Sequence, residues 1–294
     1  MSTTGHQTMD LSAEIANDLK NVVKLFPRLT NDLKKGDCGK VGVIGGSAQY
    51  TGAPYFAAAT PIKIGADLSY LFCHPEASPV IKSYSPELMV NPTLDFSQIE
   101  ANLARLDVIV FGPGIGRDRD ALVPLFKKLW QYVKQNPKIC MVVDADGIFL
   151  LADCLKEAQG CKNAIITPNH REFDRLYDTK LSSHLGICFL RKSDSDIITN
   201  GQRVELGNTL GTMRRCGGQG DILSGATAVF AYWAKFKDGA NEYSTDHIIN
   251  GAAAASDFVR FTSRQTFAKV GRAMNAGDII AEIPNVVKEI DKTM

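Results

Sequence analysis

Arg214-Arg215-Cys216-Gly217-Gly218-Gln219-Gly220-Asp221 leads directly into the apolar segment ILSGATAVFAYWA, which starts at residue 222. The apolar segment predicts a buried helix over residues 222–235. Three glycines within four residues leave the backbone N–H groups at the start of this helix uncovered by side chains. These amides and the positive end of the helix dipole together favour binding of an anion such as phosphate.

Asp221 stands where this helix opens, and its position allows two interpretations. An acidic residue near a helix N-terminus is favoured by the helix dipole and needs no further role. A carboxylate beside a phosphate-binding loop is also well placed to accept a proton from an attacking hydroxyl group. Because a plain helix start does not require three glycines, the pattern favours the catalytic interpretation.

The rest of the chain alternates short apolar, β-branched runs with helical patterns. This alternation predicts an α/β fold, with a mostly parallel sheet covered by helices on both faces. Ligands bind to such folds at the carboxyl ends of the strands. Strands are predicted at residues 41–46, 69–73, 107–112, 139–144, 164–167, 187–190 and 197–198. Helices are predicted at residues 10–26, 52–66, 121–133, 149–156, 222–235 and 246–262, and another opens within PNHREFDRL at residues 168–176.

Composition and charge exclude several classes of protein. With 33 Lys and Arg against 32 Asp and Glu, the net charge is +1, which provides no general attraction for nucleic acid or anionic membrane. The seven cysteines form no C-x-x-C pair and indicate a reduced, cytoplasmic protein. Residues 222–234 form the longest apolar run, too short to span a bilayer. Residues 1–30 are expected to form an N-terminal helical extension and residues 31–294 a single domain.

Two further glycine clusters follow predicted strands. Residues 42–47 lack the flanks of a dinucleotide-binding G-x-G-x-x-G motif and are equally consistent with a tight turn. In the second cluster, Gly112, Gly114 and Gly116 surround Pro113, which favours a rigid loop. Such a loop allows close approach of a ligand to the backbone, although it is also compatible with an ordinary strand-to-helix turn.

Two polar segments also follow strands, and each has a structural and a functional interpretation. Asn169 and Glu172, in Thr167-Pro168-Asn169-His170-Arg171-Glu172, fit a helix start capped by asparagine. The same two oxygen-bearing side chains suit water-mediated binding of Mg²⁺. Lys192 is placed to supply a point charge for phosphate, but a solvated surface lysine would look the same.

These segments, in this order, resemble the ribokinase-like superfamily, whose members form a three-layer α/β sandwich. Asn169-x-x-Glu172 is similar to its magnesium-organising motif, and Gly218-x-Gly220-Asp221 to its anion hole with a catalytic aspartate. More narrowly, the chain resembles the stand-alone eukaryotic ATP-dependent NAD(P)H-hydrate dehydratases. The resemblance extends from about residue 35 to 277 and rests chiefly on YTGAPYFAA together with CGGQGD; GPGIGR, VVDADGIFLL, TPNHREFDRL and KVGRAM also match.

The resemblance implies an enzyme that returns the S epimer of hydrated NADH or NADPH to the active cofactor at the expense of ATP, with Asp221 as catalytic base and Mg²⁺ as cofactor. It implies substrate binding by Gly114, Gly116, Asn169, His170, Arg171, Glu172, Phe173, Asp174, Arg175 and Asp221. It implies ATP binding by Lys192, Ser193, Asp194, Ser195, Asp196, Gly211, Thr212, Met213, Arg214, Arg215, Cys216, Gly217, Gly218, Gln219 and Gly220. Asn169 and Glu172 would bind Mg²⁺ through water. Ser193 departs from the glycine that often follows this lysine.

The resemblance also bears on partners. It implies a separate epimerase that interconverts the two hydrates, and a homo-oligomer is possible. Two other functions remain open at this point: a kinase of the same superfamily acting on a vitamin-precursor alcohol, and a nucleotide-binding module without catalysis. The YTGAPYFAA segment speaks against the kinase, and the intact Asp221 speaks against the module.

Overall fold

A computed structural model describes residues 11–176 and 185–294. Within these residues, nine strands form one sheet in the order β3-β2-β1-β4-β5-β6-β7-β8-β9. The pairs from β3 to β7 are parallel, and β8 and β9 add an antiparallel edge. The strands are β1 Lys40–Ile44, β2 Leu68–Phe72, β3 Met89–Asn91, β4 Val108–Phe111, β5 Cys140–Val143, β6 Ala164–Ile166, β7 Cys188–Arg191, β8 Ile197–Thr199 and β9 Val204–Leu206.

Helices cover both faces of this sheet. They are α1 Leu11–Asp18, α2 Lys20–Leu25, α3 Gly52–Ile64, α4 Ser78–Tyr84, α5 Phe96–Leu103, α6 Arg119–Gln135, α7 Asp146–Leu151, α8 Leu155–Ala158, α9 His170–Leu176, α10 Gln219–Lys237, α11 Thr245–Val270 and α12 Ala276–Asp291. Within the described part of the chain, none of them has the length and apolar character needed to cross a membrane.

The two-residue period of the strands divides the core into two clusters. In β4, Val108 and Val110 join the cluster under α1, α2, α3, α10, α11 and α12, whereas Ile109 and Phe111 join the cluster under α5 to α8. Successive side chains of a strand point to opposite faces, so a strand buried on both faces is apolar throughout. The predicted three-layer α/β fold is confirmed.

Several predicted elements differ from the structure. The helix predicted over residues 10–26 is broken into α1 and α2 at Leu19, which has φ −109°. The helix predicted over residues 149–156 starts earlier and is interrupted between Leu151 and Leu155. The strands β3 and β9 were not predicted, because three-residue edge strands carry too little periodicity. Helix α12 was also missed, although Asn275 caps it in a capping box with Asp278.

The N-terminal helix pair packs into the main core. Ile15, Leu19, Val22 and Phe26 are almost completely buried and belong to the cluster that contains α10 and α11. Phe26 contacts the ring of Trp233 edge-on, with the ring centroids 4.7 Å apart. The segment predicted as an extension therefore stabilises the central helices through buried apolar area.

The order of the sheet strands determines where a ligand can bind. The chain runs from β1 outward to β2 and β3, and then returns to place β4 on the other side of β1. The loops that follow β1 and β4 therefore separate in opposite directions and leave a crevice at the carboxyl edge of the sheet. The two predicted glycine clusters lie here, and the amide of Gly46 donates to the carbonyl of Pro113 across the crevice.

A glycine on α11 tests the packing of the two central helices. A Cβ atom on Gly251 would lie 2.4 Å from Ala231 Cα of α10, so Gly251→Ala requires the helix backbones to separate. We expect a loss of about 1–3 kcal/mol in the free energy of unfolding, measured by urea denaturation. Gly52→Ala is the control, because the nearest atom, Phe56 Cε2, would be 3.7 Å away. Equal denaturation midpoints for both variants would contradict this packing argument.

Candidate functional site

The glycine loop before α10 forms a tight turn against two neighbouring elements. Gly218 is the N-cap of the helix and has φ +92°, a backbone conformation that strongly favours glycine. A Cβ atom there would lie 2.6 Å from Ala276 Cβ and 2.8 Å from the ring of Phe56. Gly217, in contrast, has no atom within 4 Å of its Cβ position. Gly218 is therefore required by the turn, and the space beside Gly217 is open to a ligand.

Asp221 lies in the first turn of this helix and is partly buried. Burial and, next, the negative charge of Asp144 raise the pKa of its carboxyl group to about 7, against the opposing effect of Lys192. A carboxyl group with a pKa near neutrality is close to the optimum for a base that works at physiological pH. The raised pKa is compatible with the catalytic interpretation of Asp221, which stays a prediction.

Asp144, which was not predicted as a site residue, connects Lys192 to this centre. One of its carboxylate oxygens accepts hydrogen bonds from Lys192 Nζ at 2.9 Å and from Thr167 Oγ1 at 2.7 Å. Burial lowers the pKa of Lys192, but the surrounding carboxylates, led by Asp144, outweigh it and leave the pKa raised. The lysine therefore stays charged. Its Nζ is 3.4 Å from the Cβ position of Gly220, beside the helix start.

Asp146 holds the loop that follows β4. Its two oxygens accept hydrogen bonds from the amide of Gly116 at 3.1 Å and from Arg117 Nε at 2.9 Å. Between the two aspartates, Ala145 has φ +51°, the single positive value among the non-glycine residues in the described part of the chain. Such strain is commonly found at functional sites. The turn after β5 therefore organises both the lysine and the glycine loop.

Two cavities have neighbouring residues from the start of α10 in their walls. The first, of about 880 Å³, has Tyr50, Gly114, Gly116, Asp146 and Asp221 in its wall. The second, of about 720 Å³, is lined by Asn169, His170, Lys192, Ser193, Asp194, Arg215, Cys216, Gln219 and Gly220. Gly220 and Asp221 are adjacent in the chain but open to different cavities. The two cavities therefore lie on either side of the first turn of α10.

Asn169 and Glu172 form the predicted helix cap. The Asn169 side-chain oxygen accepts from the amide of Glu172 at 2.9 Å, and the Glu172 carboxylate accepts from the amide of Asn169 at 2.8 Å. The capping interpretation is thus confirmed. Among the described side chains, no group of three His, Cys, Asp or Glu residues could hold a metal ion alone. Oxygen donors that act through water, with phosphate as a further ligand, remain compatible with Mg²⁺.

The remaining residues of the α9 segment lie at the surface beside this cap. His170 contacts Asp174 at 3.2 Å and Arg191 at 2.9 Å, and all three side chains face solvent at least in part. Phe173 packs edge-on against Phe189, with Arg191 above its ring. Arg171 lines a small cavity of about 170 Å³ beside Arg117 and Phe149. The side chain of Arg175 lies outside the described residues.

The residues predicted for ATP binding occupy two facing segments. In the first, Asp196 is buried, whereas Ser193, Asp194 and Ser195 are exposed. In the second, Met213 is 91% exposed, and Arg214 and Arg215 donate to backbone carbonyls of their own loop, Arg215 to that of Thr212. The amide of Cys216 donates to the side chain of Gln219 at 3.1 Å. Gly211, Thr212, Arg215, Gln219 and Gly220 share a cavity of about 130 Å³ with Lys192, Ser193 and Asp196.

Sequence reasoning missed Asp144, Asp146 and Thr167 as contributors to the site. A signal was present, because Asp144 and Thr167 directly follow the buried strands β5 and β6. Polar residues at the carboxyl ends of parallel strands lie at one edge of the sheet. The hydrogen bonds that Asp144 accepts from Lys192 and from Thr167, however, depend on the neighbouring positions of β5, β6 and β7 in the sheet, which no local pattern shows.

A family model and the curated relatives of this chain agree on one protein family. The family described as NAD(P)H-hydrate dehydratase matches residues 41–285. An ATP-dependent (S)-NAD(P)H-hydrate dehydratase of Rattus norvegicus is 40% identical over 95% of this chain and 86% of its own length. The protein of the same name from Homo sapiens is 39% identical, with the same coverage. The chain therefore shares nearly its whole length with these relatives.

Solved structures show the same fold. A hypothetical protein of Streptococcus mutans is 27% identical, with a TM-score of 0.78, over 94% of this chain and 99% of that one. A ribokinase-like superfamily protein of Enterococcus faecalis is 20% identical, with a TM-score of 0.74, over 92% and 94%. An ADP/ATP-dependent NAD(P)H-hydrate dehydratase of Bacillus subtilis, co-crystallised with ATP/Mg²⁺, is 18% identical, with a TM-score of 0.72, over 92% and 96%.

The raised pKa of Asp221 predicts a pH-dependent cost to stability. A carboxyl group with a pKa raised from 3.8 to about 7 destabilises the folded state increasingly as pH rises between these values. Asp221→Asn removes this cost, so we expect its melting temperature at pH 8 to exceed that of the parent by roughly 3 °C or more. The difference should shrink at pH 5. Thermal unfolding at both pH values, with exposed Asp32→Asn as control, tests this; a variant less stable at pH 8 would contradict it.

Proposed function

The chain belongs to the NAD(P)H-hydrate dehydratase family, and we propose that it uses ATP to dehydrate the S epimer of hydrated NADH and NADPH, restoring the reduced cofactors. The observation that carries this proposal is that Gly220 and Asp221, adjacent in the chain, line two different cavities. One cavity contains the loops at the crevice of the sheet, where a dinucleotide fits. The other contains the lysine and the glycine loop, which suit the phosphates of ATP.

The chemistry explains why ATP is consumed. Hydroxide is a poor leaving group, so the hydroxyl oxygen of the hydrated ring first attacks the γ-phosphorus of ATP. The bond to ADP breaks, and Asp221 takes the hydroxyl proton. The carbon–oxygen bond then breaks with loss of phosphate, assisted by the lone pair of the ring nitrogen. Loss of a proton from the neighbouring ring carbon restores the dihydropyridine.

Asp221 acts as the base in this sequence. Its location at the wall of the larger cavity brings it to the substrate hydroxyl, and its first-turn position keeps it next to the phosphate site. Because its pKa is raised to about 7, the carboxylate is a stronger base than an ordinary aspartate. Burial, which raises the pKa, thus contributes directly to the reaction.

Backbone amides and Lys192 hold the transferring phosphoryl group. Gly217, Gly218 and Gly220 place amides at the helix start with no side chain over them, which is the preorganised arrangement that phosphoryl transfer requires. Lys192 adds a positive charge beside Gly220, and Asp144 positions that charge. The phosphate oxygens therefore bind to donors that are already fixed in place, whereas water molecules would have to reorganise around them.

Asn169 and Glu172 are the residues we propose to hold Mg²⁺, through water. Their donor atoms are oxygens. Asn169 lines both the cavity of about 720 Å³ and the smaller one of about 170 Å³, and Glu172 lines the smaller one. When bound, Mg²⁺ supplies positive charge that offsets the phosphates of ATP. The helix cap that joins the two residues keeps their side chains in one orientation.

The remaining predicted residues follow from this division of the site. We assign Gly114, Gly116 and the α9 segment to the hydrated dinucleotide, and the two facing segments at residues 192–196 and 211–220 to ATP. Since the reaction uses one epimer, we propose that a separate epimerase supplies it from the other. The seven cysteines, all free in the structure, suit the reducing cytoplasm. We propose a homo-oligomer as the form to test by light scattering.

An absorbance assay tests the reaction and its base. The protein, supplied with hydrated NADH, ATP and Mg²⁺, should restore the absorbance of NADH only when ATP is present. We expect Asp221→Asn to lower kcat by about 10²- to 10⁴-fold while the Kd for ATP, from calorimetry, changes little. For the parent enzyme, kcat/KM should rise with pH through about 7, since the ionised carboxylate is the active form. Near-parental turnover of Asp221→Asn would refute the assignment.

A magnesium titration tests Asn169 and Glu172. Glu172→Gln keeps the capping geometry but removes the charge, so we expect the Mg²⁺ concentration for half-maximal activity to rise about tenfold. Ser244→Ala is the matched control, because Ser244 caps α11 in a similar box away from the cavities. If both variants respond to Mg²⁺ like the parent, the metal assignment is wrong.

A further inference from the structure

Helix α11 lies behind both segments assigned to ATP and contacts each of them through one face. Asp257 accepts hydrogen bonds from the amides of Asn208 and Thr209, which precede the glycine loop. Ser263, further along the helix, accepts from Gln219 at 3.4 Å. Arg260, between them in the chain, contacts the opposite segment, which contains Lys192. The helix thus connects two loops that are distant in sequence.

The guanidinium of Arg260 is almost completely occupied by that segment. Its Nε and Nη2 atoms donate to the two carboxylate oxygens of Asp196 at 3.1 and 2.5 Å. Its Nη1 donates to the carbonyl of Asp194 at 2.7 Å, and Nη2 also donates to the carbonyl of Ser193 at 2.5 Å. An arginine has five N–H donors, and four are used here. The side chain is 14% exposed, so little of it is available to contact a ligand directly.

Asp196 completes a closed network around this arginine. Its carboxylate also accepts from the amide of Ser193 at 2.8 Å and from Ser256 Oγ of α11 at 2.7 Å. The carboxyl is 6% exposed, so it is poorly placed to bind a solvated ligand. Bidentate arginine–carboxylate pairs fix the relative orientation of the two groups. The network therefore holds residues 193–196 in one conformation relative to α11.

We propose that Arg260 is a positioning residue for ATP, acting through Asp196 to hold the 192–196 segment against the glycine loop. The guanidinium also lies close to the second segment, because a Cβ atom on Gly211 would be 3.4 Å from Arg260 Nη1. Arg260 thus lies against both segments and itself lines the cavity of about 130 Å³ that they share. The inference rests on the proposed function and assigns Asp196 to loop geometry instead of ligand contact.

Steady-state kinetics with both substrates tests the inference. We expect Arg260→Gln and Asp196→Asn each to raise KM for ATP about tenfold and to leave KM for the hydrated dinucleotide within about twofold. The KM for ATP of the double variant should not exceed that of the more impaired single variant, because both residues act as one unit. Arg272→Gln, an exposed arginine just beyond α11, is the charge-matched control. Additive effects would show that Arg260 contacts ATP itself and would overturn the proposal.

Further variants separate an effect on protein stability from an effect on ATP binding. Arg260→Gln leaves the buried Asp196 carboxylate without its cation and will lower the melting temperature. The double variant removes this negative charge, and Arg260→Lys keeps a cation beside it. If the KM for ATP returns to the parental value in the double variant, the effect was one of folding, and the proposal fails. Calorimetric Kd values for ATP, measured on the same variants, test the positioning role even if no dehydration is observed. An unchanged Kd for ATP would overturn it.

Discussion

The site depends on the buried aspartate that follows β5. The carboxylate of Asp144 binds Lys192 and Thr167, and its charge helps to raise the pKa of Asp221. Its backbone also constrains the neighbouring strand end, because a Cβ atom on Gly112 would lie 2.0 Å from the Asp144 carbonyl oxygen. Asp144 thus influences the position of the Lys192 charge, the pKa of Asp221 and the backbone of the glycine loop at Gly112. A buried carboxylate is tolerated here because it is paired with a cation and a hydroxyl donor.

A chain of net charge +1 can accommodate two polyanionic substrates because its positive potential is local. The helix start at Gly218 contributes amides and a dipole, and Lys192 contributes a charge in the same place. The charge of Arg260, in contrast, is paired with Asp196, so we infer that this arginine fixes the loop conformation instead of attracting phosphate. The division between groups that face phosphate and groups that hold the loops follows from their burial and partners.

The sequence predicted the layers of the fold and most of the central strands, because apolar runs that end in glycine or polar residues are a local signal. It also located the glycine loop and Asp221. It did not predict the edge strands β3 and β9, which are short, or the break at Leu19, where the backbone leaves the helical conformation within an apolar pattern. For Asn169 and Glu172, it described both a cap and a metal role, and the structure confirms the cap.

By itself, the sequence determined the α/β class, the glycine-rich helix start and the aspartate beside it, since each depends on residues adjacent in the chain. The tertiary structure alone decided that Asp144, Lys192 and Asp221 share one centre, and that Arg260 binds Asp196 from another helix. These contacts join residues separated by 48 and 64 positions. The pKa of Asp221 also depends on them, because burial and neighbouring charge arise only when the strands and helices pack together.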